Sequence, residues 1–261
     1  WGGSPDLISA AAASTANAQS APAIVTNPSG AQVAVAWQSG VSGNGQIVSS
    51  AFASGAWSGP ELVSSAAASA ANASAPKLVA STDLSSVTAV WQSRNVANGE
   101  VYASRRTAGT WAANPTLISV AAASSTNVQS LGQVASNPAG DTVTVVWRSY
   151  DQFNGEIYAN RFSSNSWASA TRLSNAAASN FQADEPQLST SVDGSIATVA
   201  WSSNTQSFNR EVYANRFDGT WSSVELISAP ASSNARASSV APGIVTTADG
   251  ESTSVVWKSA N

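Results

Sequence analysis

Glu156-Ile157-Tyr158-Ala159-Asn160-Arg161 recurs as Glu211-Val212-Tyr213-Ala214-Asn215-Arg216 and Glu100-Val101-Tyr102-Ala103-Ser104-Arg105, with a weaker copy at Gln46-Ile47-Val48-Ser49-Ser50. Around the clearest copy, Gln133–Ser136 is a short apolar stretch closed by Asn137-Pro138-Ala139-Gly140. Thr142–Trp147 follows with β-branched residues at alternate positions, then a loop to Asn154-Gly155, the repeated strand Glu156–Phe162, and a last strand from Trp167 to Leu173. These are four strands, A to D, punctuated by turn residues. Two tryptophan ladders carry the same unit along the chain. Trp37, Trp91, Trp147, Trp201 and Trp257 are 54, 56, 54 and 56 residues apart, and Trp1, Trp57, Trp111, Trp167 and Trp221 step 56, 54, 56 and 54. A period near 50 residues with several short strands per unit marks a propeller blade rather than a helical solenoid. The expected architecture is all-β: a five-bladed β-propeller of four-stranded antiparallel blades in one domain, residues 1–261.

The blades are read at about 21–65, 76–119, 131–174, 186–228 and 242–261, the last completed by residues 1–9 as its strand D. That split predicts that Trp1 and Trp257 share a blade and that the chain ends meet, hiding sheet edges. Only four copies of strand C exist. The last blade is therefore three-stranded, or lacks a trimmed segment, or takes a strand from another chain.

Composition narrows the functional classes. Eleven basic and 15 acidic side chains give a net charge of −4, with the basic residues scattered, which argues against nucleic acid and anionic membrane as partners. No apolar run approaches the roughly 18 residues of a membrane span. Cys, Met and His are all absent, removing thiol chemistry and the commonest general base and metal ligand. No Asp-x-Asp-x-Asp-Gly loop supports calcium. No cofactor and no metal are expected. A thiol-free chain rich in Ser, Ala, Asn and Thr suits a secreted or cell-surface bacterial protein, monomeric or oligomeric.

Antiparallel succession puts the A–B and C–D turns on one side of each blade and the B–C and D–A loops on the other. The first set is tight, as at Asp193-Gly194, Asp218-Gly219 and Asp249-Gly250. The second set is long, and long loops on a rigid scaffold are where ligands are met. The tryptophans, recurring at equivalent places, read as packing between blades. Asn17, Asn72, Asn127, Asn180 and Asn234 form a further ladder in the D–A loops and read as loop architecture. One constellation departs from the repeat. Tyr150, Asp151, Phe153 and Asn154 stand in the B–C loop of blade three, and Asn180, Phe181, Gln182, Asp184 and Glu185 in the D–A loop into blade four. Aromatic rings to stack, with carboxylates and amides to hydrogen-bond, suit glycan or protein recognition.

The text Glu156–Phe162 followed by a turn and Trp167 resembles bacterial β-propeller repeats whose outer strand opens on Trp, and the resemblance covers essentially the whole chain. Phe217-Asp218-Gly219-Thr220-Trp221 looks like a degenerate Asp-box, the hairpin turn of sialidase-type propellers, with the Asp–Gly spacing one residue short. It implies a turn. In blade number the chain is similar to tachylectin-type lectins and to five-bladed glycosidases, whose family pattern implies carboxylates on inner strands around a central channel. The inner strands, read from Ala23, Lys77, Gln133, Gln187 and Gly243, contain none. The expectation is therefore a non-catalytic binding module, lectin-like or protein-binding, working through the B–C and D–A loops, and not an enzyme. The alternatives are a structural repeat domain of a larger surface protein and, last, a glycosidase-type propeller enzyme.

Overall fold

The computed structural model describes residues 7–9, 18–40, 45–64, 72–94, 99–119, 128–150, 155–174, 182–204, 210–228, 236–237 and 241–260. Blade one is β1 (Ala18–Thr26), β2 (Val33–Gly40), β3 (Gln46–Ala53), β4 (Ala56–Trp57) and β5 (Glu61–Leu62). Blade two is β6 (Ser74–Ala80), β7 (Ser86–Arg94), β8 (Gly99–Thr107), β9 (Thr110–Trp111) and β10 (Thr116–Leu117). Blade three follows as β11 (Val128–Ser136), β12 (Val143–Tyr150), β13 (Gly155–Ser163), β14 (Ser166–Trp167) and β15 (Thr171–Arg172). Blade four is β16 (Asp184–Thr190), β17 (Ile196–Asn204), β18 (Arg210–Asp218), β19 (Thr220–Trp221) and β20 (Glu225–Leu226). Of the fifth repeat the structure describes two small sheets, β21 (Arg236–Ala237) with β24 (Ser259–Ala260), and β22 (Gly243–Thr246) with β23 (Thr253–Val256). The fold class is the expected one, all-β with the antiparallel blades of a five-bladed β-propeller. The chain divides into two compact units, Trp1–Val96 with Tyr102–Thr116, and Ala97–Val101 with Leu117–Asn261.

Two details differ from the sequence reading. Strand D is broken: β14 and β15 each pair with β13 through two residue pairs, and the stretch between them leaves the ladder. In blades one and two a proline, Pro60 and Pro115, stands in this gap and has no N–H to give. The inner strands also begin earlier than their apolar stretches suggest. Each carries a register shift, at Ser20/Ala23, Ser74/Lys77, Leu131/Gln133 and Asp184/Gln187, and pairing resumes on its N-terminal side.

Strand B is covered on both faces, so in β12 every residue from Val143 to Trp147 is buried, Thr144 included. In the second unit a core joins blades three and four: Val146, Ile157, Ala159 and Leu173 pack with Ala183, Val199, Trp201 and Tyr213. In the first, Trp57 and Ile8 pack against Val35, Trp37 and Val48. The tryptophan ladder is packing in four of its first five members, Trp37, Trp91, Trp147 and Trp201, all buried, while Trp257 is 39% exposed. Trp91, Trp147 and Trp201 each stack on the tyrosine of the repeated strand, Tyr102, Tyr158 and Tyr213. From the second ladder, the Trp111 indole N–H crosses from blade two to the Ser49 hydroxyl of blade one at 2.7 Å. Trp1 lies outside the described residues, and its expected pairing with Trp257 with it.

The Glu-x-Tyr-Ala-x-Arg strand braces the blades. Tyr158 donates its hydroxyl to Glu156 at 2.9 Å on the same strand face, and Arg172 of β15 pairs with Glu156 at 2.7 Å. Burial, that hydrogen bond and the Glu156 charge push the Tyr158 hydroxyl up to about 12. On the opposite face Arg161 reaches the Thr144 hydroxyl at 2.5 Å and the Gly194 carbonyl of blade four at 2.6 Å, lying 4.0 Å over the Phe217 ring. Burial pulls its guanidinium down to about 10.

The A–B turns of blades two, four and five are closed by an aspartate, those of blades one and three by Asn27 and Asn137. In blade two Asp83 accepts from the Ser81 hydroxyl at 2.7 Å and from the Ser85 hydroxyl and backbone N–H at 2.7 and 3.0 Å. These bonds, Ser81 foremost, hold its carboxyl down at about 2, and Asp193 and Asp249 are lowered by the same arrangement. Between the folded value and the ordinary 3.8 the unfolded chain binds more protons, so stability there rises with pH. Melting temperature is expected to fall as pH drops from the ordinary carboxylate range toward 2. Asp83→Asn, which keeps an acceptor but no charge, should flatten part of that limb. An acid limb of unchanged slope in the variant would show that the turn contributes nothing.

Candidate functional site

The constellation picked from the sequence is partly on view. Tyr150, Gln182, Asp184 and Glu185 are described, whereas Asp151, Phe153, Asn154, Asn180 and Phe181 lie outside the described residues. Tyr150 ends β12, and Asp184 and Glu185 open β16, the inner strand of blade four. This corrects the reading that inner strands lack carboxylates. It took β16 to start at Gln187, where the apolar run begins, but the strand reaches across its bulge to pair Asp184 with Ser202.

Two arginines that sequence reasoning passed over complete the group. The Arg148 Nη1 is 3.2 Å from Asp184 Oδ1, and the guanidinium lies 4.6 Å over the Tyr150 ring, two residues on and on the same strand face. Arg210, the first residue of β18, donates Nε to the Ser202 hydroxyl at 3.1 Å. Its Nη2 lies 3.8 Å from Asp184 Oδ2 and 3.6 Å from Glu185 Oε2. Asp184 Oδ1 also accepts the Glu185 backbone N–H at 2.8 Å. Gln182 accepts from the Asn204 side chain at 3.3 Å. Gln182 and Glu185 both hold left-handed backbone, φ 53° each, and so re-aim their side chains away from simple strand alternation. Two polar atoms in this group are buried with no hydrogen-bond partner among the described residues, Arg148 Nε and Glu185 Oε2. Such atoms are costly unless something completes them.

The repeat shows how unusual the group is. Strand pairing aligns Asp184 with Ser20, Ser74 and Ser130, and Arg148 with Gln38, Gln92 and Ser202. Glu185 stands where blades one and two have Ala21 and Ala75, both also left-handed, at φ 49° and 50°. Arg210 stands where the other blades have Gly45, Gly99 and Gly155. Four departures from the repeat, in three strands of two blades, meet at one place. That convergence was the signal available in the sequence, and it needed the register to be known before it could be seen.

Gly155 shows why glycine is otherwise kept at the Arg210 position. Its carbonyl accepts the Ala183 N–H at 2.9 Å, and a Cβ there would fall 2.5 Å from the Ala183 oxygen and 2.8 Å from Arg148 Nε. Gly155→Ala is expected to cost about 1–3 kcal/mol as overpacking against backbone that cannot swing aside. A denaturant midpoint equal to wild type would mean that blade three and the start of β16 part easily.

Among the described residues there is no group of three or more metal-ligating side chains and no helix long and apolar enough to cross a membrane. Asn72, in the D–A segment of blade two, has the left-handed backbone (φ 50°) read for the asparagine ladder; Asn17, Asn127, Asn180 and Asn234 lie outside the described residues.

No family model and no curated protein matches the chain. Solved structures do. A Hadza microbial sialidase is 14% identical, with 87% of this chain and 50% of that chain covered and a TM-score of 0.54. An α-L-arabinanase of Penicillium chrysogenum complexed with arabinobiose is 7% identical, over 87% of this chain and 70% of that one, with a TM-score of 0.50. An α-L-arabinofuranosidase of Fusarium graminearum in complex with arabinobiose is 11% identical over 91% and 74%, with a TM-score of 0.49. The chain thus spans half the length of the sialidase it matches. The expectation of a non-catalytic module that is not an enzyme is overturned here, because the solved chains that share the fold are repeatedly carbohydrate-active enzymes. Its ground, the absence of inner-strand carboxylates, fails at Asp184 and Glu185. At these identities the likeness establishes the propeller fold.

Proposed function

We propose that the chain is a carbohydrate-active propeller of glycosidase type, taking its glycan at the Arg148, Asp184, Glu185 and Arg210 group. The observation that carries the reading is the meeting of these four departures from the repeat at the start of an inner strand. Glycoside hydrolysis in most families uses one carboxyl group to protonate the leaving oxygen and a second carboxylate to attack the sugar carbon or activate water. Glu185 is the proposed proton donor, since its Oε2 accepts no hydrogen bond from the described residues. Asp184 is the positioning residue: two guanidinium groups and a backbone N–H occupy it. Neighbouring residues on one strand do not flank a scissile bond, so a second carboxylate is needed, and Asp151, next in the chain to Tyr150, is the candidate. Tyr150, Phe153 and Phe181 supply rings for sugar faces, and Asn154, Asn180 and Gln182 supply amides for hydroxyls. A secreted or cell-surface setting, bacterial by composition, fits such a substrate.

The test is release of reducing sugar or sialic acid from arabinan, arabino-, xylo- and cello-oligosaccharides and a sialylated oligosaccharide. Wild-type protein is expected to cleave at least one, and Glu185→Gln and Asp151→Asn to lose that cleavage while remaining folded. No release from any of them by folded wild-type protein sinks the reading and leaves the structural repeat domain.

A further inference from the structure

The Asn160 side chain of blade three seals one stretch of the outer rim by donating to the Ile118 carbonyl, at the end of the preceding blade's outer strand, at 2.9 Å. Asn215 is the same residue of blade four, and Leu173 is the counterpart of Ile118. Asn215 instead turns back into its own blade, donating to the Ser222 carbonyl at 3.0 Å and accepting from the Ser222 hydroxyl at 3.2 Å. The sequence explains the difference, because blade three has Ala168 where blade four has Ser222 and so offers no hydroxyl to hold the amide. Between blades three and four the rim carries a groove of about 320 Å³, with Thr171 and Leu173 on one side and Asn215, Trp221 and Ser222 on the other. Its indole donor is unused. Trp111, the counterpart of Trp221, donates to the Ser49 hydroxyl at 2.7 Å. Strand pairing puts Ala159 at the matching position of blade three, and the Trp221 indole N–H meets no acceptor among the described residues. The charged residue of the lining, Arg172, is already held by Glu156 at 2.7 Å.

We propose that this groove is a further carbohydrate site, holding one neutral sugar residue at the blade rim. Its volume stands at the small end of ligand sites, which run from about 300 to 1,000 Å³, and suits a single ring rather than a chain. The Trp221 indole presents an apolar surface for the C–H face of a sugar and a donor for a hydroxyl oxygen. The Thr171 and Ser222 hydroxyls and the Asn215 amide partner the remaining sugar hydroxyls. With Arg172 paired, the lining presents no free charge, so the occupant is a neutral sugar rather than an acidic one. The site is separate from the arginine and carboxylate group. None of Arg148, Asp184, Glu185 and Arg210 lines the groove, which is built on outer strands, whereas that group gathers at the start of an inner one. Sugar held at the rim is bound and not cleaved, and its binding is independent of any hydrolytic activity.

The probes are L-arabinose, D-xylose, D-galactose and D-glucose, titrated into the full chain and followed by tryptophan fluorescence. Saturable binding of at least one is expected, with a dissociation constant on the order of 1 mM, as a few hydrogen bonds in an open groove supply. Trp221→Phe keeps a ring at the rim but removes the N–H, and should weaken binding about tenfold. Ser222→Ala copies blade three and frees Asn215 to reach the Leu173 carbonyl, closing the groove. It should weaken binding at least as much, and because Ser222 is exposed the melting temperature should stay nearly unchanged. Glu185→Gln should bind the sugar as wild type does, so that failure of the hydrolytic reading leaves the rim site standing. Absence of saturable binding of any of these sugars up to about 100 mM overturns the proposal, as does binding that either rim substitution leaves at wild-type affinity. Binding lost in Glu185→Gln also overturns it, because the sugar would then sit at the inner strand.

Discussion

Replacing Trp201 by alanine is expected to lower the free energy of unfolding by about 3–5 kcal/mol, the range for truncating a buried aromatic side chain. The indole is fully buried and belongs to the core that joins blade four to blade three, where it meets Val146, Ile157, Ala159 and Leu173. It also stacks on Tyr213, with centroids 6.2 Å apart and planes at 19°. Its loss removes transfer energy and opens a cavity between two sheets whose backbones are held by ladders and cannot collapse into it. Denaturant unfolding with an unchanged m-value measures the difference. Trp257→Ala serves as the internal contrast: an indole 39% exposed should cost much less. Equal losses for the two would mean that the ladder is stabilised by something other than burial between blades.

Glu185→Gln is expected to lower the rate of glycan cleavage by about 10²–10⁴-fold, the usual contribution of a positioned general acid or base. The exchange keeps shape and hydrogen-bonding capacity but removes the proton that the mechanism transfers. Stability should move little, because the Arg210 pair is 3.6 Å long and Glu185 keeps 38% of its side chain exposed, conditions under which an ion pair contributes about 0–1 kcal/mol. Asp184→Asn separates positioning from chemistry. It disturbs the alignment of Arg148 and Arg210, so the Michaelis constant should rise along with any fall in turnover. A Glu185→Gln variant with wild-type turnover would remove Glu185 from the proposed reaction while leaving the arginine group as a binding feature.

The sequence determined the repeat and the blade. Alternating β-branched runs, Asp-Gly and Pro-Ala-Gly turns and two tryptophan ladders are local signals, each set by a strand or turn of a few residues. They placed β13 and β18 within a residue or two, whereas β12 runs three residues past the Trp147 at which its alternation was read to end. Tertiary structure decided what period cannot express. The bulge at Asp184/Gln187 carries two carboxylates onto an inner strand, because cross-strand pairing with Ser202 outweighs the apolar pattern that marked its start at Gln187. Arg148 and Arg210, 62 positions apart in the chain, become partners of one carboxylate only through the stacking of blade three on blade four. Charge pairing depends on distance across strands, and a single sequence records residue order but not that distance.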